Sequence, residues 1–445
     1  MMLKQIRKAD IFSKAAVPIS QAAFPNPFNP GLEYNTPEHS HWNIVHIGMQ
    51  LPESRQIYIC GDNCMRGVVM TAAEMAASDR FAMVLLQDQD LLDSDLTQVT
   101  LRGIEDCIEK WQTHPKAVLV FPVCLHHFMG TDMDQVYEIL EEKYPDIFWL
   151  KCWMDPIMQK RGTTPDERER LEMTRPLYDL PEDLSQANLI GMDVPLAGAA
   201  ENDLTALFKR GGIQLNEISK CQDFETYRQT GAAGLELYIS SFSKLAAEGL
   251  AKRLKRPCLF MDALWNEDEI DPALYALGDF YGWDLAAWLE TRKAQAEEAV
   301  QFAKAQIGGM PIAIDTVGVL RPLSLARMLT AHGFNVVRLY ADGFSEAEHE
   351  DYLWLKEHAG NLTICSTLRP EMRRWPEPKE KVLAIGPRAA WFEKSPTFVQ
   401  MIENGGLWGY GAWIGLMKSM MDACAHPKAV KPVITQKGWG CACTL

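Results

Sequence analysis

Three cysteines in the first third of the chain have the spacing of a candidate metal site. Cys60 and Cys64 follow the apolar stretch 57–59, and Cys124 follows the longer apolar run 117–123. Thiolates bind zinc, usually in sets of four protein ligands, and they hold iron–sulfur clusters, whose ligands need not be close in sequence. Three thiols are one ligand short of either set, so a histidine of this chain or a residue of a partner would complete the site.

Each of these thiols alone also fits a core role, because free cysteine is among the most often buried residue types. The three cysteines have similar sequence surroundings, however, since each follows an apolar run and lies beside glycine or polar residues. Functional groups gather on loops in that position. Both interpretations stay open on the residues alone.

His126 and His127 follow Cys124 closely and could act as ligands or as proton donors beside the thiols. Adjacent residues of an extended segment point to opposite sides, so at most one of the two should face the site. A pair of solvated loop histidines is an equally valid interpretation. Asp132 is predicted to cap the helix that starts at Met133 rather than to handle protons.

Alternating strands and helices are predicted to position these residues. The pattern predicts strands at 56–60, 81–86, 117–123 and 147–151, and helices at 65–78, 97–113 and 133–143. This order is typical of a parallel sheet covered on both faces, and ligands bind beyond the carboxyl ends of its strands. The three cysteines lie at those ends.

The alternation continues through two further blocks after a polar, proline-bearing stretch at 155–183, which reads as an excursion or a surface helix. The predicted strands are 189–194, 213–218, 258–262, 310–315, 335–339, 363–366 and 381–385. The predicted helices are 201–209, 235–254, 284–306, 323–332 and 408–423. We therefore expect an α/β fold of three Rossmann-like domains with mainly parallel sheets. Residues 1–185 would carry the candidate cysteines, 186–308 would form the middle domain, and 309–445 the last.

Composition argues against several functional classes. The net charge is −15 over 445 residues, and no Lys/Arg cluster resembles a phosphate-binding stripe, so nucleic acid is not an expected partner. There is no apolar run of eighteen residues and no signal-peptide pattern, which predicts a cytoplasmic protein without a membrane span. Eleven irregularly spaced cysteines are not typical of a disulfide framework. Neither a Walker A nor a Gly-x-Gly-x-x-Gly motif occurs, so we expect no ATP hydrolysis by this chain and no standard dinucleotide site.

Four segments resemble the nitrogenase component 1 superfamily, which includes nitrogenase catalytic subunits and dark-operative protochlorophyllide reductase. His46-Ile-Gly-Met49 with Gly61-Asp-Asn-Cys64 is similar to the family's I-x-H-G-P-x-G-C segment. Pro122-Val-Cys124 with Met129-Gly-Thr-Asp132 resembles C-x-x-x-x-I-G-D-D. Asn188-Leu-Ile-Gly191 resembles the start of its second domain, and Gly409-Tyr-Gly-Ala412 resembles its G-Y-x-G helix. The order and spacing of these segments carry the resemblance.

The resemblance implies an iron–sulfur cluster at a subunit interface, held by Cys64 and Cys124, with Cys60 as a conjectured third ligand. It also implies low-potential electrons from an ATP-hydrolysing iron–sulfur reductase partner. Nitrogenase subunits have an earlier cysteine, and residues 1–59 contain none. A 4Fe-4S cluster shared in a homodimer, or with a paralogue in a heterodimer or heterotetramer, therefore fits better than an eight-iron cluster. Segment 237–243 lacks a cysteine, so an iron–molybdenum-type cofactor and dinitrogen reduction are not supported.

The expected function is an oxidoreductase of this type that reduces a small organic substrate. A non-catalytic scaffold for assembling a metallocluster or tetrapyrrole is the alternative, and ligand binding without redox chemistry is a third, because fold does not fix function. Cys441 and Cys443 of the C-terminal tail could hold a metal, although a frayed terminus is the commoner case.

Overall fold

Apolar segments that are buried on both faces form the central strands of this chain. Residues Ala117–Pro122, Ala233–Tyr238 and Ile312–Asp315 are buried throughout. Such strands need helices on both faces, as parallel sheets have them. The computed structural model describes residues 14–29, 44–93, 95–155, 157–158, 162–376 and 380–430.

The described strands and helices alternate along most of the chain. The strands are β1 (Ala16–Pro18), β2 (Ser54–Cys60), β3 (Phe81–Leu85), β4 (Ala117–Pro122), β5 (Phe148–Lys151), β6 (Asp183–Leu189), β7 (Gln214–Glu217), β8 (Ala233–Tyr238), β9 (Cys258–Phe260), β10 (Ile312–Asp315), β11 (Val336–Tyr340), β12 (Thr363–Cys365), β13 (Leu383–Ile385) and β14 (Phe398–Val399). The α-helices are α1 (Ile44–Met49), α2 (Asp62–Glu74), α3 (Asp88–Asp93), α4 (Leu96–Lys110), α5 (Cys124–Phe128), α6 (Met133–Lys143), α7 (Pro165–Thr174), α8 (Asp203–Gly211), α9 (Phe224–Gln229), α10 (Lys244–Leu254), α11 (Glu267–Tyr281), α12 (Ala286–Ile307), α13 (Pro322–Ala331), α14 (His349–His358), α15 (Pro387–Glu393) and α16 (Gly409–Ala425).

Three sheets share one pattern of strand order. The first is β3-β2-β4-β5, the second is β7-β6-β8-β9, and the third is β1-β12-β11-β10-β13-β14. All pairings are parallel except that of β1 with β12. In each sheet the chain passes from one central strand to the strand or strands on one side of it. It then crosses back and forms the strands on the other side of that central strand. That reversal opens a crevice at the carboxyl ends of the two central strands, where open α/β sheets bind ligands. The predicted α/β fold with mainly parallel sheets is confirmed.

The two faces of the first sheet are packed by alternate residues of its central strands. Ile57 and Ile59 of β2 belong to one apolar cluster, whereas Tyr58 and Cys60 belong to the cluster on the other face. The ring of Tyr58 stacks on that of Phe121 with their centroids 4.3 Å apart. Both faces of the central strands β2 and β4 are therefore largely closed to water, and the carboxyl ends of these strands are left as the accessible edge.

Two compact units divide the described residues. One draws on 41–193 and 212–262 and contains the first two sheets. The other draws on 1–40, 194–211 and 263–445 and contains the third sheet. The three predicted domains, 1–185, 186–308 and 309–445, stay a prediction, and the first of their boundaries falls within strand β6. No helix of the described residues is both long enough and apolar enough to cross a membrane.

The predicted long helix at 235–254 is wrong. Ala233–Tyr238 is strand β8, and α10 begins only at Lys244. Leucine and glutamate favour helices, but burial between β6 and β9 decides the conformation of this segment. The strand predicted at 189–194 also lies too late, because β6 ends at Leu189 and Gly191 follows with a φ of 71°.

Helices α7 and α11 are two of the helices that sequence reasoning missed or misplaced. The stretch predicted as an excursion or surface helix contains α7, whose Glu169 is fully buried and whose Arg170 is nearly so. Helix α11 was not predicted at all, because its acidic start and internal Pro272 hide the apolar face formed by Ile270, Leu274 and Leu277. Tertiary packing again overrides the local signal.

Candidate functional site

The candidate cysteines lie at the reversal point of the first sheet. Cys60 is the last residue of β2, and Cys64 lies in the first turn of α2. Cys124 is the first residue of α5, and Val123 alone separates it from the end of β4. Strands β2 and β4 are direct neighbours, with Ile59 paired to Pro122. The chain leaves β2 for β3 on one side and returns to β4 on the other, so the three cysteines border the crevice between them.

The three thiols are close enough to influence one another electrostatically. Burial raises the pKa of the Cys60 thiol to about 12, and the charges of Cys64 and Cys124 act in the same direction. The pKa of Cys124 is raised by burial first, then by Asp155 and Cys64. The predicted gathering of these residues at one sheet edge is what the structure has.

Accessibility separates one thiol from the other two. Cys60 is enclosed in the apolar cluster around Tyr58, with none of its surface exposed. Cys64 is exposed and Cys124 is partly exposed. Cysteine binds metal as the charged thiolate, and this charged form is more stable at the exposed edge of the sheet than in an apolar core. Cys64 and Cys124 are therefore the accessible pair.

Short strand-to-helix turns hold this pair in place. The Cys64 N–H donates to the carbonyl of Gly61 at 3.1 Å, and the His126 N–H donates to the carbonyl of Val123 at 2.9 Å. Each turn thus brings a cysteine into the first turn of a helix. The N-terminal end of a helix such as α2 favours negative charge, so anionic sulfur suits this position.

His126 is committed to holding the start of α5 together. The Val123 N–H donates to its Nδ1 at 3.1 Å, and its Nε2 lies 3.1 Å from the Thr100 hydroxyl oxygen. The side chain is buried, and burial lowers its pKa to about 4. Nδ1 also lies 3.2 Å from the carbonyl oxygen of Val123, so the backbone of that residue engages Nδ1 whichever nitrogen carries the ring proton. Neither nitrogen is left to serve the thiols directly.

His127 instead forms a dyad with Asp155. Its Nδ1 lies 2.7 Å from a carboxylate oxygen of Asp155, and its ring stacks on Trp153 with centroids 3.9 Å apart. The side chain of His127 is 46% exposed, whereas that of Asp155 is 3% exposed. Val123 pairs with Met154 in an isolated bridge, which brings this segment beside the end of β4. The two histidines were predicted on an extended segment, whereas both lie on helix α5, and which of them serves the site stays a prediction.

The residues after the histidines have a structural role. Gly130 has a φ of 64°, which favours glycine, and it follows the end of α5. The carboxylate of Asp132 accepts the N–H of Gln135 at 3.0 Å at the start of α6. The prediction that Asp132 caps this helix is confirmed.

An apolar rim lies next to the accessible pair. Phe128 and Met129, at the end of α5, are 69% and 49% exposed. Phe128 lies four residues after Cys124, so the two share one face of the helical turn. Large exposed apolar side chains mark sites of interaction with other molecules.

The accessible pair fits half of a cluster site. Among the described residues, no group of three or more His, Cys, Asp or Glu side chains is arranged to hold a metal ion. Thiolates are nonetheless the usual ligands of iron–sulfur clusters, and a four-iron cluster takes four. The chemistry of the pair therefore suits a cluster whose other ligands come from a second chain. Cys441 and Cys443 lie outside the described residues.

Sequence reasoning missed Asp155 and Trp153. A usable signal was present, because both follow β5, which ends at the same sheet edge as β2 and β4. Extending the strand-end argument to the fourth strand would have found them.

Residues 100–424 match the family Nitrogenase component 1 type Oxidoreductase. The chain belongs to this family. The matched range includes Cys124 and the His127–Asp155 dyad, while Cys60 and Cys64 precede it. The resemblance to this superfamily is thereby confirmed, although the first of the four segments, 46–49 with 61–64, precedes the matched range.

Solved structures agree with the family assignment at the level of fold. "Nitrogenase Cp1 at pH 6.5" is similar with a TM-score of 0.66 and 13% identity, covering 89% of this chain and 94% of that chain. "Nitrogenase Cp1 at pH 5" is similar with a TM-score of 0.56 and 12% identity, covering 98% and 97%. No curated protein sequence matches the chain. Members of the nitrogenase component 1 family bind metal–sulfur clusters, form oligomers and work with a reductase partner.

Proposed function

We propose that this chain is an iron–sulfur subunit that receives low-potential electrons from an ATP-hydrolysing reductase and reduces a small organic substrate. The observation that carries the proposal is the accessible pair, Cys64 and Cys124, at the reversal point of the first sheet. Two thiols from adjacent parallel strands meet there at the edge where this class of sheet binds ligands. The chain belongs to an oxidoreductase family, which supports a redox function for the pair.

The incomplete ligand set favours an assembly of two subunits. Two thiols from this chain and two from a second copy, or from a paralogue, make the four that a 4Fe-4S cluster takes. Phe128 and Met129 supply exposed apolar surface beside the pair, as the centre of a subunit contact requires. The cluster would therefore lie between subunits, held by Cys64 and Cys124 of this chain.

The chain's own residues would set the properties of that cluster. Such a cluster supplies one-electron transfer, with a potential governed by its ligands, its exposure and hydrogen bonds to sulfur. The turns at Gly61 and Val123 orient the two thiols, and the apolar surface of the subunit contact excludes water. Cys60 lies beneath the pair as a neutral thiol, and its role as a third ligand is the weaker part of the ligand hypothesis.

Anaerobic purification with iron and sulfide analysis tests the proposal. We expect a coloured protein whose reduced form gives an EPR signal of a four-iron cluster. Cys64→Ala and Cys124→Ala should each lose most of the iron, whereas Cys107→Ala, which removes a buried thiol of α4, should retain it. Iron retained in Cys124→Ala would overturn the ligand assignment.

A cluster-assembly scaffold is the second candidate, and the exposure of Cys64 is the observation that favours it. An exposed ligand can exchange with an acceptor protein. Turnover distinguishes the two candidates, because only the enzyme reduces a substrate when the reductase and ATP are added. Transfer of iron to an apo-acceptor without ATP-dependent reduction would favour the scaffold.

A further inference from the structure

A basic cleft lies at the edge of the first sheet opposite to the thiols. Strands β2 and β4 begin at this edge side by side, with Ser54 paired to Ala117. The cleft has a volume of about 390 Å³, and Arg55, Arg80 and Lys116 are among the residues that line it. Small-molecule sites have volumes of about 300–1,000 Å³. The cleft therefore has room for a small ligand.

Three separate segments bring positive charge to this cleft. Arg55 lies on β2, Arg80 directly precedes β3, and Lys116 directly precedes β4. Among the described residues, no carboxylate lies within ion-pair distance of any of these three side chains. The net charge of the chain is −15, so this cluster of unpaired cations does not follow from a basic composition.

Neutral groups hold the guanidinium of Arg80 in place. Its Nε donates to the carbonyl of Ser54 at 3.0 Å, and its Nη1 donates to the carbonyl of Met49 at 2.9 Å. Its Nη2 donates to the carbonyl of Leu51 at 2.7 Å and to the Ser54 hydroxyl at 2.9 Å. These acceptors carry no net charge, so they fix the position of the cation without neutralising it.

The charges of Arg55 and Arg80 act on each other. Burial lowers the pKa of Arg80, the charge of Asp79 opposes this shift, and the charge of Arg55 adds to it. The guanidinium of Arg55 lies over the ring of Trp111, with Cζ 4.8 Å from the ring centroid. A planar aromatic face limits the positions that this side chain can take. Two positioned cations therefore face the same cleft.

Lys116 adds a positive charge on an exposed side chain. Its backbone N–H donates to the carbonyl of Glu53 at 2.9 Å, which anchors the start of β4. Glu53 is the one acidic residue that lines the cleft, and its Oε2 accepts the N–H of Phe224 at 3.0 Å. His114 also lines the cleft and adds a further positive charge when it is protonated. Positive charge thus exceeds negative charge in the cleft.

We propose that this cleft binds a phosphate group, either as inorganic phosphate or as part of a small phosphorylated molecule. A phosphate group carries a charge of about −1.5 to −2 at neutral pH, which several cations match better than one. Arginine donates to two phosphate oxygens at once, and lysine binds phosphate as a point charge. Arg55 and Lys116 would donate to the ligand, and Arg80 would supply fixed positive charge. This site is separate from the thiols and does not depend on the proposed function.

Calorimetric titration of the full chain in phosphate-free buffer tests the site. Inorganic phosphate, glycerol 3-phosphate and acetate are titrated at pH 7 and constant ionic strength. We expect one phosphate group bound per chain, and acetate bound at least tenfold more weakly because it carries a single charge. Comparison of the first two probes shows whether the free ion or the phosphomonoester is the preferred form.

Variants of the two donating side chains locate the binding. Arg55→Gln and Lys116→Gln should each raise the Kd for phosphate about tenfold or more, as expected for the loss of a hydrogen bond between charged groups. Lys143→Gln is the matched control, because Lys143 is a lysine of the same unit whose Nζ lies 2.8 Å from Glu105. Its Kd should equal that of the wild type. The exposed position of Lys116 makes its variant informative even if Arg55→Gln loses its packing on Trp111, and urea unfolding without phosphate checks both.

The outcomes are independent of those for the thiol site. The proposal is overturned if phosphate does not bind, if acetate binds as tightly, or if folded Arg55→Gln and Lys116→Gln keep the wild-type Kd. None of these results changes the iron content expected for Cys64 and Cys124. Likewise, an iron-free protein that still binds phosphate through Arg55 and Lys116 would support this site while overturning the redox function.

Discussion

At the residue scale, accessibility decides what each cysteine can do. Cys60, Cys64 and Cys124 were predicted as one group because all three follow apolar runs, and they do lie together. Their accessibility could not be predicted, because Cys60 shares a face with Tyr58 that only the packed helices close. The same limit applies to His126 and His127, whose different environments depend on contacts with Thr100 and Asp155.

Replacement of Cys60 tests the division between core and ligand thiols. We expect Cys60→Ala to retain its iron, because the thiol is enclosed, and to lose only about 1 kcal/mol of unfolding free energy from the small cavity. Iron content and urea unfolding measure the two effects. Loss of iron comparable to that in Cys124→Ala would instead make Cys60 a ligand.

The buried His126 should make stability depend on pH. Its folded pKa of about 4 lies below the ordinary value of 6.5, so the unfolded chain binds a proton that the folded one does not. Its contribution is present above pH 6.5 and is lost as the pH falls toward 4, by about 3 kcal/mol at most. Urea unfolding at pH 7 and pH 5 should show a smaller drop for His126→Gln than for wild type. Equal drops would contradict the assignment, and His114→Gln is the control.

At the element scale, the ends of strands explain both the successes and the failures of sequence reasoning. Helix α6 runs from Met133 to Lys143, as predicted, because Asp132 gives an unambiguous start. Strands β2 and β4 were also predicted closely from their apolar runs. Strand β8 was mistaken for a helix, because burial on both faces removes the alternation that marks a half-buried strand. Asp155 was missed because the β5 end was not examined in the same way.

The second sheet contains a row of polar side chains that crosses three strands. Asn216 donates to the amide oxygen of Asn188 at 3.0 Å, and Asn188 donates to Glu236 at 3.3 Å. Glu236 is fully buried, and burial raises its pKa to about 8. The carboxyl is therefore mostly protonated at neutral pH in the folded state.

Glu236→Gln should make the unfolding free energy less dependent on pH. The folded pKa of about 8 exceeds the ordinary value of 4.5, so the wild type loses stability as the pH rises between these values. The advantage of the variant should grow by roughly 1 kcal/mol per pH unit in this window. Urea unfolding at pH 5, 6.5 and 8 measures it. Glu248→Gln, at a more exposed carboxylate, is the control, and a constant difference between Glu236→Gln and wild type would count against the prediction.

At the scale of the whole molecule, three sheets with the same reversal make three crevices, and the thiols occupy the first. The nitrogenase component 1 family and its fold could be predicted from the order of four short segments, because such order survives where identity is low. That two subunits share one cluster could be proposed only from the number of ligands that each chain supplies. This chain offers two accessible thiols, and a four-iron cluster takes four.

Iron counted against assembled mass tests that claim most directly. Native mass spectrometry of the anaerobically purified protein, combined with iron and sulfide analysis, gives the number of clusters per assembly. We predict one 4Fe-4S cluster for every two subunits, lost together with the dimer mass when Cys64 and Cys124 are both replaced by alanine. A colourless, iron-free protein, or a complete cluster on a single chain, would contradict the account.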